Sequence, residues 1–149
     1  MLLCRAAGPL VRPQLGQLVP PLLEAVAGLE HQVLGYSATR ASEEDRDRLD
    51  ALRVSAARAS PMADTLNYVL RYVDETVLDE VIGGVVEVLK RSVGLTSRTT
   101  AAHVIETLTH TLPPGAMEKH AGKILAALFG GLSDRNATVR QTFAKVWDY

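Results

Sequence analysis

Aromatic side chains are scarce in this sequence, at 5% of its 149 residues, and there is a single cysteine, Cys4. One cysteine excludes an intrachain disulfide and a cysteine-based zinc site, and it fits a reducing compartment. The longest strongly apolar stretch, 81–89, contains Glu87 and is too short to cross a bilayer. Neither sign of charge dominates, because 16 basic side chains face 17 acidic ones. A net-basic nucleic-acid-binding domain is therefore not expected.

Leucine and alanine are abundant instead, and together they supply 40 of the 149 residues. Apolar residues make up 47% and charged residues 22%, which is typical of a soluble globular chain rather than a disordered one. Leucine and alanine favour helices over sheets. The length allows one domain or a few units of a repeat array.

The spacing of apolar residues predicts an all-α chain, because no segment alternates convincingly between apolar and polar residues. Stripes at steps of three or four predict eight helical segments: 14–29, 31–41, 49–59, 61–73, 77–89, 101–112, 124–128 and 139–147. In the first, Leu15, Leu18, Leu22 and Val26 are expected to face the core. In the third, the expected core stripe is formed by Leu49, Leu52, Ala56 and Ala59.

Two helix starts have characteristic sequences. Ser42 and Asp45 form a potential N-cap pair at the start of a strongly charged stretch, 43–50. Ser60 followed by Pro61 is a second start, since the hydroxyl caps free N–H groups and proline loses no hydrogen bond at the first helical position.

The helices repeat with a common pattern. Segments beginning at Pro20, Gly83 and Gly122 each contain a helix-weakening residue, a spacer, an apolar pair, a spacer and two further apolar residues. The last two are 39 residues apart, a spacing typical of HEAT or armadillo helix pairs. We therefore predict one α-solenoid over 1–149, with units 14–60, 61–113 and 116–149. The first unit is longer, and we assign the excess to a charged, exposed insertion at 42–50.

Candidate chemistry is limited to one trio. His103, Glu106 and His110 share one helix face, where two imidazoles and a carboxylate could bind a metal ion and support a metal-dependent enzyme. That face lies opposite the apolar stripe, so the simpler interpretation is a polar outer face toward solvent. The histidine spacing also differs from that of the zincin motif. We predict no catalytic residue, metal site, cofactor or small-molecule substrate.

Other polar residues have structural interpretations. His120 is expected in a solvated turn, and Lys90, Arg91 and Arg98 form a small basic cluster near a helix end. Asn136 begins an Asn-Ala-Thr glycosylation sequon that has no role in a cytosolic chain. The Gly83-Gly84 and Gly130-Gly131 pairs lack the strand and the Lys-Ser/Thr pair of a phosphate loop.

The first 23 residues contain Arg5 and Arg12 but no acid, as a mitochondrial transit peptide would. Four prolines in this segment break a presequence helix, and no serine precedes Ser37. We therefore favour the interpretation that residues 1–10 are the end of a helix.

Several stretches resemble one family, the large HEAT-repeat proteasome adapter and scaffold proteins. The resemblance runs from about Leu18 to Arg140 and corresponds to a small, C-terminal portion of the family's very long chain. It is most specific at Ser60-Pro61-Met62 and at Gly131-Leu132-Ser133-Asp134-Arg135-Asn136. The other matching residues are 22–25, 29–30, 32–34, Arg53, 55–57, 65–67, 92–95, 122–123 and Leu128. Gly83-Gly84 departs from it, since proline is expected there.

The resemblance implies a non-enzymatic scaffold that binds the 26S proteasome and helps to tether, stabilise or regulate it. It also implies a cytoplasmic protein, with the nucleus as a second compartment. The rival hypotheses are another helical-repeat adapter, such as a nuclear transport receptor or a ribosome-associated regulator, and the metal-dependent enzyme built on His103, Glu106 and His110.

Overall fold

The computed structural model describes residues 8–28, 42–92 and 94–147, and within these ranges the chain is helical without a strand. Its α-helices are α1 (Leu15–Gly28), α2 (Glu43–Arg58), α3 (Pro61–Leu70), α4 (Glu75–Arg91), α5 (Leu95–Thr111), α6 (Ala121–Leu132) and α7 (Ala137–Trp147). Short 3-10 helices cover Gly8–Gln14 and Glu118–His120. The all-α prediction is confirmed. None of the described helices is long and apolar enough to cross a membrane.

Side-chain caps fix where several of these helices begin, including α2, α3 and α4. The hydroxyl of Ser42 accepts a hydrogen bond from the backbone N–H of Asp45 at 3.2 Å, and Ser60 does the same for Ala63. Asp74 accepts from the N–H of Thr76 at the start of α4. Each cap satisfies an N–H group that the helix itself leaves free. Both starts predicted at Ser42 and Ser60 are therefore confirmed.

The helices stack in two layers. In the first layer, α1 packs against α4 and α4 packs against α6; in the second, α5 lies between α2 and α7. The layers join through the pairs α4–α5 and α6–α7, and α3 packs against α1. The main core lies between them and includes the fully buried Leu78, Ile82 and Leu108. This arrangement confirms an α-solenoid of the HEAT kind, while the exact boundaries of the repeat units stay a prediction.

Glycines allow the closest helix contacts. Gly84 of α4 faces Pro20 of α1 so closely that an added Cβ atom would overlap the proline ring. Gly16 of α1 similarly faces the side chain of Glu80 on α4. Because both contacts join residues 64 positions apart, α1 and α4 run in the same direction. A glycine at position 84, where the resemblance led us to expect proline, is thus explained by the proline on the opposing helix.

The prediction of which residues of α2 face the core is wrong. Leu52 is 61% exposed, and Ala56 and Ala59 are also on the surface. The helix instead turns Val54 and Ala57 inward. In an alanine-rich helix the two faces differ little in hydrophobicity. The spacing of small residues is therefore a poor guide to which face of the helix is buried.

The charged stretch 43–50 is the beginning of α2, as the predicted N-cap at Ser42 indicates. Residues 43–48 are exposed, as expected for a segment rich in acids and arginines. Asp50 is the exception, because it is only 8% exposed and pairs with Arg53. A carboxylate that has a bonded partner can be buried at much lower cost than an unpaired one.

Smaller differences concern the ends and faces of other helices. In α1, Leu15 and Val26 are buried as predicted, but Val19 and Leu23 replace Leu18 and Leu22 as the fully buried residues. Helix α3 ends at Leu70, before Val73, and α5 begins at Leu95, six residues earlier than the apolar stripe indicated. Leu29, Cys4, Val93, residues 1–7 and the predicted helix 31–41 lie outside the described residues.

Gly131 provides a test of the packing between α6 and α7. A Cβ atom at this position would overlap the ring of the buried Phe143, whereas a Cβ atom at Gly83 of α4 meets open space. Gly131→Ala should therefore lower the free energy of unfolding by about 1–3 kcal/mol through overpacking. Gly83→Ala should raise it by about 0.5–1 kcal/mol, because alanine has the higher helix propensity. Denaturant titration of both variants measures the difference, and equal effects would contradict the packing.

Candidate functional site

The proposed metal trio does not form a three-ligand group in the structure. Nδ1 of His103 lies 3.0 Å from Oε2 of Glu106, and both side chains are half-buried rather than fully exposed as predicted. His110 is exposed one turn further along α5. Within the part of the chain that the structure describes, no group of three or more His, Cys, Asp or Glu side chains is placed to hold a metal ion. The pair thus provides no support for a metal centre.

The predicted basic cluster is also dispersed. Arg91 forms an exposed ion pair with Glu87, one turn back on the same helix, at 3.0 Å. Arg98 instead belongs to the first turn of α5 and pairs with Asp134, in the turn between α6 and α7. Its guanidinium also lies 5.3 Å from the centre of the Phe143 ring. Lys90 and Arg91 do lie in the last turn of α4, as the predicted helix end requires, but Arg98 lies on the next helix and is held there by a partner on a distant turn.

Arg98 forms part of a half-buried polar cluster that joins three parts of the fold, which we call the polar junction. Its members are Asp50, Arg53, Arg98, Asp134 and Asn136. They come from α2, α5 and the α6–α7 turn, so the junction links all three helices of the second layer. Residues 50 and 136 are 86 positions apart, which makes this a long-range contact.

Asn136 is the central member, because its side chain and its backbone N–H make four interactions. Its amide nitrogen donates to the carboxylate of Asp50. Its side-chain oxygen accepts from the backbone N–H groups of Thr138 at 2.9 Å and Val139 at 3.3 Å, and so caps α7. Its own backbone N–H donates to Asp134 at 2.8 Å. The asparagine of the sequon is thus used for folding, and its amide is tied to α2.

The environment of the junction shifts the pKa values of its acids in opposite directions. Burial raises the pKa of Asp50, and the hydrogen bond from Asn136 offsets only part of that effect. Burial also acts to raise the pKa of Asp134, but the backbone N–H of Asn136 and the guanidinium of Arg98 outweigh it and lower the pKa overall. Hydrogen-bond donors and a nearby positive charge stabilise the ionised carboxylate. Asp134 therefore contributes stability at neutral pH through these bonds.

Part of the junction is visible in the sequence. The segment Gly131–Asn136 is one of the two most specific stretches of the family resemblance, and it contains two of the five members. Its turn residues, Asp134 and Asn136, are types that bond to nearby backbone N–H groups. Their partners, Asp50 and Arg98, carried no comparable signal, since nothing in their local sequence identifies a contact with a distant turn.

Replacing Arg98 should destabilise the fold. Arg98→Met removes the partner of Asp134 in a pair whose side chains are 18% and 19% exposed, so we expect a loss of about 1–3 kcal/mol in the free energy of unfolding. Arg48→Met is the matched control, because Arg48 and Glu44 form an exposed pair at 2.8 Å that should contribute less than about 0.5 kcal/mol. Urea denaturation compares the two variants. A loss no greater for Arg98 than for Arg48 would show that the junction adds no stability.

The prediction for His120 is wrong, because its side chain is buried rather than solvated. The residue is 3% exposed and lies where the short helix Glu118–His120 meets α6. Nε2 lies 3.1 Å from Oδ1 of the exposed Asp79, although the two atoms form no well-directed hydrogen bond. Burial lowers the pKa of His120; Asp79 acts to raise it, and Lys119 and Lys123 act to lower it. The folded protein therefore favours the neutral imidazole.

This burial predicts a pH-dependent stability. Since the pKa of His120 is lower in the folded chain than the value of about 6.5 for an unfolded one, the unfolded chain binds more protons near that pH. The free energy of unfolding should thus fall as the pH decreases through about 6.5. His120→Gln should flatten this fall, because glutamine does not bind a proton in this pH range. Denaturant titrations across this pH range measure the slopes, and an unchanged slope in His120→Gln would contradict the assignment.

An apolar surface lies on the outer side of α6, which we call the outer α6 surface. Leu125 is 39% exposed and Phe129 68% exposed, and Trp147 at the end of α7 is 41% exposed. No charged residue occurs between positions 124 and 132. Beside it, a groove of about 390 Å³ opens between α5, α6 and α7. Large exposed side chains that lie together, unlike single ones, mark sites of interaction.

The comparisons with known proteins agree on one group. The model of the family described as "Proteasome adapter and scaffold protein ECM29, HEAT-repeat domain" matches residues 11–147. The human protein named proteasome adapter and scaffold protein ECM29 is 39% identical over 140 residues, which is 94% of this chain and 8% of the human one. The Drosophila melanogaster proteasome-associated protein ECM29 homolog is 36% identical over 138 residues, covering 91% of this chain and 7% of its own.

A third relative is more distant. The Saccharomyces cerevisiae proteasome component ECM29 is 26% identical over 136 residues, which correspond to 90% of this chain and 7% of the yeast one. No solved structure matches the chain. The chain spans less than a tenth of the length of each of the three relatives named above. On the strength of the family match across almost all of its residues, the chain belongs to the ECM29 family of HEAT-repeat proteins.

Proposed function

We propose that this chain is part of a non-enzymatic scaffold that binds the 26S proteasome. The match of residues 11–147 to the HEAT-repeat domain of a proteasome adapter family carries this proposal. The two-layer stack of helices is compatible with it, since such arrays present extended surfaces for protein partners rather than a closed active site. The relatives' names describe association with the proteasome, and we extend that role to this chain.

The proposed contact is a broad surface in which many side chains contribute a little each. Residues 43–48 of α2 place four acids and two arginines on the surface, and α7 exposes Arg140 and Lys145. Exposed charged contacts are individually weak in water. A single substitution among them should therefore reduce proteasome binding only modestly, whereas loss of the fold should abolish it.

We propose further that the scaffold helps to tether, stabilise or regulate proteasome particles, in the cytoplasm and also in the nucleus. The support is the family resemblance, together with a single cysteine in the whole sequence, which fits the reducing conditions of both compartments.

A retention assay tests the binding proposal. The 149-residue chain, immobilised through a tag, is incubated with purified 26S proteasomes, and retained particles are measured by their peptidase activity and by their subunits. We expect retention by the unchanged chain and slightly reduced retention by Arg140→Glu or Lys145→Glu. Leu128→Asp is the unfolded control, because Leu128 is fully buried in the core.

A chimera provides a second test in a longer protein. In the human relative, the matched segment is either deleted or replaced by this chain, and proteasome retention is compared. Recovery of retention by the replacement supports the proposal. Failure of both the isolated chain and the chimera, with the helical circular dichroism spectrum intact, would overturn it.

A further inference from the structure

A polar pocket lies at the edge of the stack, where the turn between α5 and α6 meets the start of α4, and we call it the edge pocket. It is lined by residues of both elements: Glu75, Pro114, Gly115, Ala116, Glu118 and Lys119. Its volume is about 340 Å³. This volume is within the range of about 300–1,000 Å³ that is typical of ligand pockets.

The edge pocket is separate from the faces by which helix pairs stack. Helix α4 has α1 on one side and α6 on the other, so the pocket lies in a part of the array that is flanked on both sides by helices of this structure. Its walls are a helix start and a turn. In helical-repeat arrays each repeat packs its helix faces against its neighbours, while the turns line the edges. Adjoining repeats therefore leave the pocket open.

Carboxylates from two elements line the edge pocket. Glu75 is the first residue of α4, and Glu118 is the first residue of the short helix that follows the turn. Both side chains are exposed, and neither pairs with a cation in the part of the chain that the structure describes. The dipole of α4 favours Glu75 at its start, but it does not account for Glu118, which belongs to a different element.

The turn holds the carboxylate of Glu118 in place. Gly115 has a φ of 88°, a left-handed conformation that glycine adopts at little cost. A Cβ atom added at this glycine would lie 3.6 Å from Oε1 of Glu118, so the carboxylate folds back over the turn. Pro113 and Pro114 restrict the backbone that leads into it. A site whose parts are held before binding loses less entropy when a ligand arrives.

The edge pocket offers hydrogen-bond acceptors and few free donors. Pro114 has no backbone N–H, and the N–H groups at positions 116 and 118 donate to carbonyl groups of the same turn at 3.1 Å. The ammonium group of Lys119 lies 3.2 Å from Oδ1 of Asp79 on α4. The two glutamate side chains therefore remain for a ligand that donates hydrogen bonds and carries positive charge.

A buried polar atom beside the pocket also lacks a well-placed partner. His120 is 3% exposed, and its Nε2 makes no well-directed hydrogen bond with the described residues. This nitrogen faces Asp79, whose Oδ1 lies 3.1 Å away and also pairs with Lys119. Buried polar atoms of folded proteins nearly always have a partner. The hydrogen bonding around Asp79 is therefore incomplete in this chain alone, as expected beside a ligand site.

The surrounding charges indicate which ligand fits. Positions 74–80 contain four acids and no cation, and Glu118 adds a fifth acid from the facing turn. The nearby cations are used within the fold, since Arg12 pairs with Asp74 at 2.9 Å and Lys119 pairs with Asp79. A guanidinium group carries five N–H donors in a planar fork and binds carboxylates through paired hydrogen bonds. It therefore suits this pocket better than an ammonium group does.

We propose that the edge pocket binds an arginine side chain on an exposed, basic segment of another protein. The guanidinium group lies between the carboxylates of Glu75 and Glu118, and the backbone of the bound segment crosses the turn at 113–116. The complementary charges steer the segment to the pocket, and the hydrogen bonds select arginine. This site is independent of the proposed binding to the proteasome.

Three labelled peptides test the proposal. Each places three copies of one residue among glycines and serines, and that residue is arginine, lysine or the neutral arginine analogue citrulline. Fluorescence anisotropy measures binding of each peptide to the 149-residue chain at low and high salt. At low salt we expect the arginine peptide to bind about tenfold more tightly than the citrulline peptide and about threefold more tightly than the lysine peptide. High salt should reduce the preference over citrulline.

Matched variants locate the site. Glu75→Gln and Glu118→Gln should each weaken binding of the arginine peptide by about threefold. Glu43→Gln is the control, because Glu43 is likewise an exposed acid at the first position of a capped helix, α2. It removes the same charge but should leave the affinity nearly unchanged. Circular dichroism confirms that the three variants keep the helical fold.

An NMR titration with the arginine peptide gives an independent location. We expect the largest changes in backbone amide shifts at 113–120 and at the start of α4.

Four results would overturn the proposal. Equal affinities for the arginine and citrulline peptides would show that the charge has no role, and equal affinities for arginine and lysine would contradict the selection of a guanidinium group. Weakening by Glu43→Gln as strong as that by Glu75→Gln or Glu118→Gln would show that the peptide responds only to the net charge of the chain. Shift changes centred on 43–48 would place the basic segment on α2 instead.

Discussion

The stack depends on the burial of the apolar sides of α1, α4 and α6 against one another and against the second layer. Helix α4 is the centre of this arrangement, since it packs on α1, on α6 and on α5. Its residues Leu78, Val81, Ile82 and Val85 are completely buried. Burying one large aliphatic side chain stabilises a fold by roughly 1.5–3 kcal/mol, and no single helix of this chain could bury such a face alone. Helix-on-helix stacking is therefore the condition on which every other contact rests.

Two devices refine this basic stack. Glycines set how closely the helices approach, as where Gly84 faces Pro20 and Gly131 faces Phe143. The polar junction fixes the second layer, because its hydrogen bonds and ion pairs are directional whereas apolar contacts are not. Asn136 both begins α7 and bonds to α2, so one residue links the geometry of a local turn to a helix far away in the sequence.

The same architecture separates residues for folding from residues for partners. The polar residues that attract attention in the sequence, such as Asn136, Arg98 and His120, are engaged in folding contacts. Two kinds of surface remain exposed in the described residues: the charged first turns of α2, and the apolar outer α6 surface. Charged surfaces support weak, distributed contacts, while exposed aromatic side chains beside a groove support a localised one.

The sequence by itself determined the helical class, the starts of α2 and α3 at Ser42 and Ser60, and the repeating pattern in α1, α4 and α6. These features depend on local properties: helix propensity, capping side chains, and apolar residues at steps of three and four, all of which act within a few residues. The family resemblance likewise pointed to the group that the comparisons show. By contrast, the inward face of α2, the burial of His120 and the pairing of Arg98 with Asp134 were decided only by the tertiary structure. Each depends on contact between elements that are distant in the chain. A polar residue can be buried where a residue of another element pairs with it or packs against it, and no local sequence pattern predicts such a contact.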